Sequence, residues 1–208
     1  MGKIKNIVFD FGGVIIDIDR EKAVRRFKEI GIRDAEFYLD SYKQKGIFLE
    51  IEEGVITPQE FQTKLSEMAG HPISIDQCTY AWTGYVKRLD EYKLDYLLDL
   101  RRRGYQVIVL SNTNPFMMSW ALSKAFSSDG KSLDEYVDAL FLSYQIKKVK
   151  PSVEIFQYLI ENAQIKAEET LFVDDGMENV RIAGEMGMHT YLPANGEDWR
   201  PAVEKLIR

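Results

Sequence analysis

Cysteine and histidine are nearly missing from this chain. A single cysteine, Cys78, excludes a disulfide within the chain and a thiolate metal site, which leaves it to core packing. The two histidines, His71 and His189, sit in no recognisable partner pattern, so no cysteine–histidine nucleophile is indicated. No uninterrupted apolar run is long enough to span a bilayer, and no membrane partner is expected. Residues 1–10, MGKIKNIVFD, run straight into an apolar segment without a signal-peptide layout, so the expected compartment is the cytoplasm. Positive charge is also in deficit, with 27 Lys and Arg against 33 Asp and Glu and a net charge of -6. That balance argues against a nucleic-acid partner held through phosphate contacts. A small phosphorylated ligand stays compatible with it, because a local cation cluster or a bound metal reverses the field in one pocket.

With 45% hydrophobic and 29% charged residues over 208 positions, the chain has an ordinary globular mixture. It can bury a sizeable core as one large domain, or as one domain with a smaller insert. Nothing in the composition sets an oligomeric state.

The stretch that organises the rest is Ile4 to Asp19, IKNIVFDFGGVIIDID. Ile7-Val8-Phe9 is short, β-branched and followed by a turn signal, which reads as a buried strand. It delivers one carboxylate, Asp10, to a glycine pair, Gly12 and Gly13, where the backbone can pass close to a ligand. Asp10 in this setting reads either as a nucleophile or metal ligand, or as a turn residue bonding its own backbone.

After Asp19 the periodicity turns helical. Ala23, Val24, Phe27 and Ile30 have helical spacing with Gly31 as a stop, and Asp34 can cap a second helix carrying Phe37, Tyr38 and Tyr42. Thr57-Pro58-Gln59-Glu60 is a capping box, and Ser74 with Gln77 repeats the signal ahead of Tyr80, Ala81 and Val86. Residues 20–88 therefore read as a helical insert without a strand. From Asp90 strands and helices alternate. Strands are expected at Tyr105–Leu110, Ala139–Leu142, Thr170–Val173 and Thr190–Leu192, with Asn114-Pro115 and Pro151 opening two of the helices.

This rhythm predicts an α/β fold: a Rossmann-like, mostly parallel sheet in residues 1–19 and 89–208, with the helical cap of residues 20–88 inserted after the first strand. Ligands of such sheets bind outside the carboxyl ends of the strands. Asp10, Ser111, Lys150 and the pair Asp174-Asp175 all follow the end of a predicted strand. Together they make sense for phosphoryl transfer. Asp10 can attack phosphorus and form an aspartyl-phosphate. Three carboxylates make an oxygen cage for magnesium, and Lys150 offsets negative charge. Ser111, with Asn112 as a helper, can hydrogen-bond the phosphoryl oxygens, so that positioning and charge carry the reaction.

The chain resembles the haloacid dehalogenase superfamily of hydrolases in four ordered motifs: IVFDFGGVI, VIVLSNT, KVKP and LFVDDGMENV. Its small helical cap and first-motif glycine are similar to the sugar-1-phosphatase branch. The resemblance implies Asp10 as nucleophile, Ser111 as phosphate binder and Lys150 as charge partner. It also implies Mg2+ held by Asp10, the backbone carbonyl of Gly12 and Asp175, with Asp174 assisting. The implied activity is a magnesium-dependent phosphatase of a small phosphorylated metabolite, such as a hexose 1-phosphate. One departure stands out, because most phosphatases of this family carry a second aspartate, the general acid, where this chain has Gly12. A hemiacetal leaving group would suffer least from that loss. Asp17 and Asp19 read mainly as caps of the segment after the strand.

Other residues have blander readings. Asn179 is expected to be structural, and Lys147 and Lys148 a solvated face. Phe48, Trp82 and Tyr85 are pocket-lining candidates that helical spacing equally assigns to a core. Two other functions compete with the phosphatase. A dehalogenase would use the same aspartate on carbon without a metal, but the paired acids would repel an anionic haloacid. A non-catalytic binding protein of the same fold is the other alternative.

Overall fold

A computed structural model describes residues 3–40 and 43–208. Seven strands form: β1 (Asn6–Phe9), β2 (Ile16–Ile18), β3 (Val86–Leu89), β4 (Gln106–Ser111), β5 (Ala139–Leu142), β6 (Thr170–Val173) and β7 (His189–Tyr191). Five of them build one parallel sheet in the order β5-β4-β1-β6-β7. The chain leaves β1 to build β4 and β5 on one side, then crosses to β6 and β7 on the other. That reversal opens a crevice beside the carboxyl end of β1.

Alternation explains why β1 must be central. Ile7 and Phe9 enter one core cluster with Val107, Val109, Leu171 and Val173. Val8 points the other way, into a second cluster with Ile108, Leu110 and Phe172. Every β1 residue is buried, as a parallel strand covered on both faces requires. Trp199, on the approach to the last helix (Arg200–Ile207), closes one face by packing on Phe9 at 4.8 Å between ring centroids.

The helix starts expected from local chemistry form. Asp19 accepts from the Lys22 N–H, both capping boxes close, and Asn114 accepts from the N–H groups of Phe116 and Met117. Asp34, in contrast, makes no side-chain cap bond, and the helix after it spans only Ala35–Tyr38. Tyr42 lies outside the described residues. A further helix, Ile47–Glu52, adds to those expected.

Residues 20–88 are not purely helical. The helix expected to run through Val86 ends at Trp82, and Val86 opens β3, which pairs antiparallel with β2 in a two-stranded ribbon. The buried cation Lys93 underlies this ribbon. Its Nζ donates to the Val14 carbonyl at 2.9 Å and to Asp17 at 3.1 Å, while Arg88 reaches Asp17 from the other side at 2.7 Å. The helices of residues 20–88 pack through Phe27, Phe48, Phe61 and Trp82, and Phe61 meets Phe116 of the sheet's own helical layer at 5.3 Å. Cys78 is fully buried there, and burial pushes its thiol up to about 12. No described helix is long and apolar enough to cross a membrane.

Candidate active site

The site lies where β1, β4 and β6 end. Asp10 directly follows β1, with its N–H continuing the ladder to the Val173 carbonyl at 2.8 Å. Asp174 directly follows β6, Ser111 ends β4, and Lys150 arrives from the loop ahead of the helix Val153–Ala163. Residues far apart in the chain meet here because three adjacent parallel strands stop together.

Lys150 is the hub. Its side chain is 1% exposed, and its Nζ lies 2.9 Å from Asp10 Oδ1, 2.6 Å from Asp174 Oδ2 and 2.9 Å from the Leu110 carbonyl. An ammonium has three N–H groups, and all three are matched. The phosphate-binding role expected of Lys150, beyond charge pairing, thus has no free donor in this arrangement. Burial works to lower its pKa, but the charges of Asp10 and Asp174 hold it above the ordinary lysine value.

Asp10 uses Oδ1 for Lys150 and for the Phe11 N–H at 2.6 Å. Burial, reinforced by the charges of Asp174 and Asp175 and opposed by Lys150, raises its carboxyl to about 7. Burial and the Asp174 charge raise Asp175 to about 6. Asp174 is fully buried and well supplied with donors. Its Oδ1 accepts from the Gly176 N–H at 2.7 Å and from Asn179 Nδ2 at 2.8 Å, in addition to Lys150 on Oδ2. Asn179 therefore orients Asp174.

Asp10, Asp174 and Asp175 offer one oxygen each within 4.8 Å of one another, an all-oxygen donor set suited to a small hard cation. Gly13 permits this approach. Its φ is +77°, and a Cβ there would lie 2.1 Å from Asp175 Oδ2. Gly12 is different, since a Cβ there would meet only Ile18 Cγ2 at 3.4 Å. Its backbone lines the cavity beside Asp10.

Ser111 is buried, lines the cavity and makes only a 3.3 Å contact to the Asn112 carbonyl. Asn112 lines the same cavity and also braces the loop that carries Lys150. Its Oδ1 accepts from the Lys150 N–H at 2.8 Å and its Nδ2 donates to the Lys150 carbonyl at 2.9 Å. That pair of bonds fixes the backbone carrying the lysine. Asp17 and Asp19 stand apart from the cavity, one in the Lys93–Arg88 ion pairs and the other as a helix cap. Of the three aromatics, Trp82 and Tyr85 line the cavity, while Phe48 is core.

Glu52 was not evident from the motifs. It is buried and lines the same cavity from the insert. A signal for it exists in the spacing, because Phe48, Ile51 and Glu52 fall at i, i+3 and i+4, which places a carboxyl on an apolar helix face. Burial, then the charges of Asp10 and Glu53, push it up to about 8.

A parallel α/β sheet with a lysine-bridged carboxylate cluster beyond its strand ends is the architecture of a class of hydrolases. The chain belongs to the haloacid dehalogenase-like hydrolase family, whose pattern matches residues 4–187. It is 51% identical over 204 residues to the D-ribitol-5-phosphate phosphatase of Bacteroides thetaiotaomicron, covering 98% of each chain. Among solved structures it is similar to a predicted HAD-like family hydrolase from Porphyromonas gingivalis, with a TM-score of 0.95, 43% identity and coverage of 100% and 99%. It is also similar to a HAD family enzyme of Bacteroides thetaiotaomicron solved with magnesium and inorganic phosphate, with a TM-score of 0.86, 40% identity and coverage of 99% and 100%.

Proposed function

We propose that this protein is a magnesium-dependent phosphatase of a small polyol or sugar phosphate. The observation that carries the proposal is the cluster of Asp10, Lys150, Asp174 and Asp175 beyond the strand ends, in a chain 51% identical to a D-ribitol-5-phosphate phosphatase. Residues 20–88 act as the cap that covers the site, and their contribution to the cavity wall supports that division.

Asp10 is the nucleophile. Its Oδ1 is held by Lys150 and the Phe11 N–H, which leaves Oδ2 to attack phosphorus. The ester oxygen leaves with the electron pair of its bond to phosphorus, an aspartyl-phosphate forms, and water then attacks phosphorus to release phosphate. Lys150 favours the ionised form of Asp10 against the effect of burial, and Asp174 holds Lys150 in place. Ser111 and the backbone N–H groups after β4 hydrogen-bond the phosphoryl oxygens. Asp10, Asp174 and Asp175, with the Gly12 carbonyl, would hold magnesium, whose charge would neutralise the phosphoryl group against these carboxylates.

The relative's substrate is a phosphate ester of a primary alcohol, and this favours a terminal polyol phosphate over a hexose 1-phosphate. Phosphate release from ribitol 5-phosphate, glucose 1-phosphate and glucose 6-phosphate, with magnesium and with chelator, tests the reading. The expected result is metal-dependent release, greatest with the polyol ester and abolished in Asp10→Asn. Release that survives Asp10→Asn would refute it.

A further inference from the structure

The proposed reaction leaves one demand unmet. A primary alkoxide is a poor leaving group and needs a proton as its bond to phosphorus breaks. Position 12, where most family phosphatases carry the acid that supplies it, is glycine. The carboxyls nearest in sequence are committed elsewhere, Asp17 to Lys93 and Arg88 and Asp19 to its helix N-terminus.

Among the described residues that line the cavity, Asp10, Asp175 and Glu52 are the carboxyls. Asp10 and Asp175 belong to the cation cluster. Glu52 belongs to the wall that the insert contributes, with Trp82 and Tyr85. Resting on the phosphatase reading, we infer that Glu52 is the general acid that protonates the leaving oxygen, in place of the side chain missing at Gly12.

Three observations carry this. In-line attack by Asp10 expels the leaving oxygen on the side of phosphorus opposite Asp10, and Glu52 lines the same cavity from a different element of the chain. Glu52 is docked with precision although it belongs to the insert. The fully buried Ser143 donates its Oγ–H to the Glu52 carbonyl at 2.6 Å and accepts from the Thr113 N–H at 3.0 Å, tying Glu52 to the loop after β4. Two residues on, Gly54 has a φ of +64°, and a Cβ there would lie 2.0 Å from the Tyr144 carbonyl, so this turn seats directly on the core. The third observation concerns unused polar groups. No described residue donates a hydrogen bond to the Glu52 carboxyl, and the buried Trp82 Nε1 of the same wall has no partner either. Burial and neighbouring negative charge keep Glu52 in its acid form near neutrality, so it has a proton to give.

The step balances. Asp10 Oδ2 bonds to phosphorus as the ester P–O bond breaks, and the leaving oxygen takes the Glu52 proton to depart as an alcohol. The resulting Glu52 carboxylate then accepts a proton from the water that attacks the aspartyl-phosphate, which restores the acid.

The test compares wild type and Glu52→Gln on ribitol 5-phosphate and on p-nitrophenyl phosphate, whose leaving group needs little help. The expected outcome is a fall in kcat/KM, which reports only the steps up to departure of the leaving group, of about a hundredfold or more for the alkyl ester and of at most about tenfold for the aryl ester. If the amide variant does not fold, Glu52→Asp is expected to show the same bias at smaller size. An equal fractional loss of kcat/KM on both esters in a cooperatively unfolding variant overturns the assignment, and so does an unchanged kcat/KM on the alkyl ester. A wild type that hydrolyses neither ester overturns the phosphatase reading along with it, which separates the two failures.

Discussion

Acidification should weaken cation binding at this site by an amount the structure sets. In the metal-free protein Asp10 titrates at about 7 and Asp175 at about 6, so a cation entering below those values must displace protons. At pH 5 the first carboxyl is protonated about a hundred times more often than ionised, and the second about ten times. At pH 8 both are ionised. Magnesium affinity should therefore fall about 10²–10³-fold from pH 8 to pH 5, or about 3–4 kcal/mol. Calorimetric titration at four pH values, in buffers of different ionisation heat, measures both the affinity and the protons released. At pH 6 release should lie between about one and one and a half protons per ion. Stability of the metal-free protein moves the opposite way. Asp10 rises from an ordinary 3.8 to about 7, so its contribution is full below 3.8 and is lost as pH rises through 7. Metal-free protein should then lose this contribution between about pH 4 and 7, and saturating magnesium should remove that loss. An affinity constant within about threefold from pH 5 to 8, or binding without proton release at pH 6, would refute the reasoning.

Lys150→Met should destabilise the metal-free protein by about 3–5 kcal/mol in urea unfolding, because Asp10 and Asp174 would lose the cation between them. Magnesium should narrow that deficit, and phosphate release should disappear. Gly13→Ala should abolish magnesium binding by calorimetry, since its Cβ would occupy the place of the Asp175 carboxylate. Gly12→Ala, which meets only Ile18 at 3.4 Å, should stay within about 1 kcal/mol of wild-type stability in the same unfolding assay.

Short-range chemistry made much of this protein legible in advance. A strand buried on both faces must be an apolar run, and a helix start must satisfy its own N–H groups. The five strands of the parallel sheet, the caps at Thr57, Ser74 and Asn114, and the placement of Asp10, Ser111, Lys150, Asp174 and Asp175 beyond strand ends all follow from those local rules. Where pairing is long-range, local rules fail. Val86–Leu89 carries a mixed apolar and charged pattern and becomes a strand only because Ile16–Ile18 is there to pair with it. Asn112 lines the cavity, and only the fold shows that it also holds the loop carrying Lys150.

What the sequence by itself determined is therefore which groups can react and at which strand ends they are offered, because both depend on residues adjacent in the chain. What only the tertiary structure decided is how those groups divide the work. Lys150 has its three donors spent, Asp174 serves as its anchor, and Asp175 meets Asp10 across Gly13. Glu52 comes to the cavity from another part of the chain, held by Ser143. Its burial, its shifted acidity and its nearness to Asp10 are properties of a packed interior, where distance in space has replaced distance along the chain.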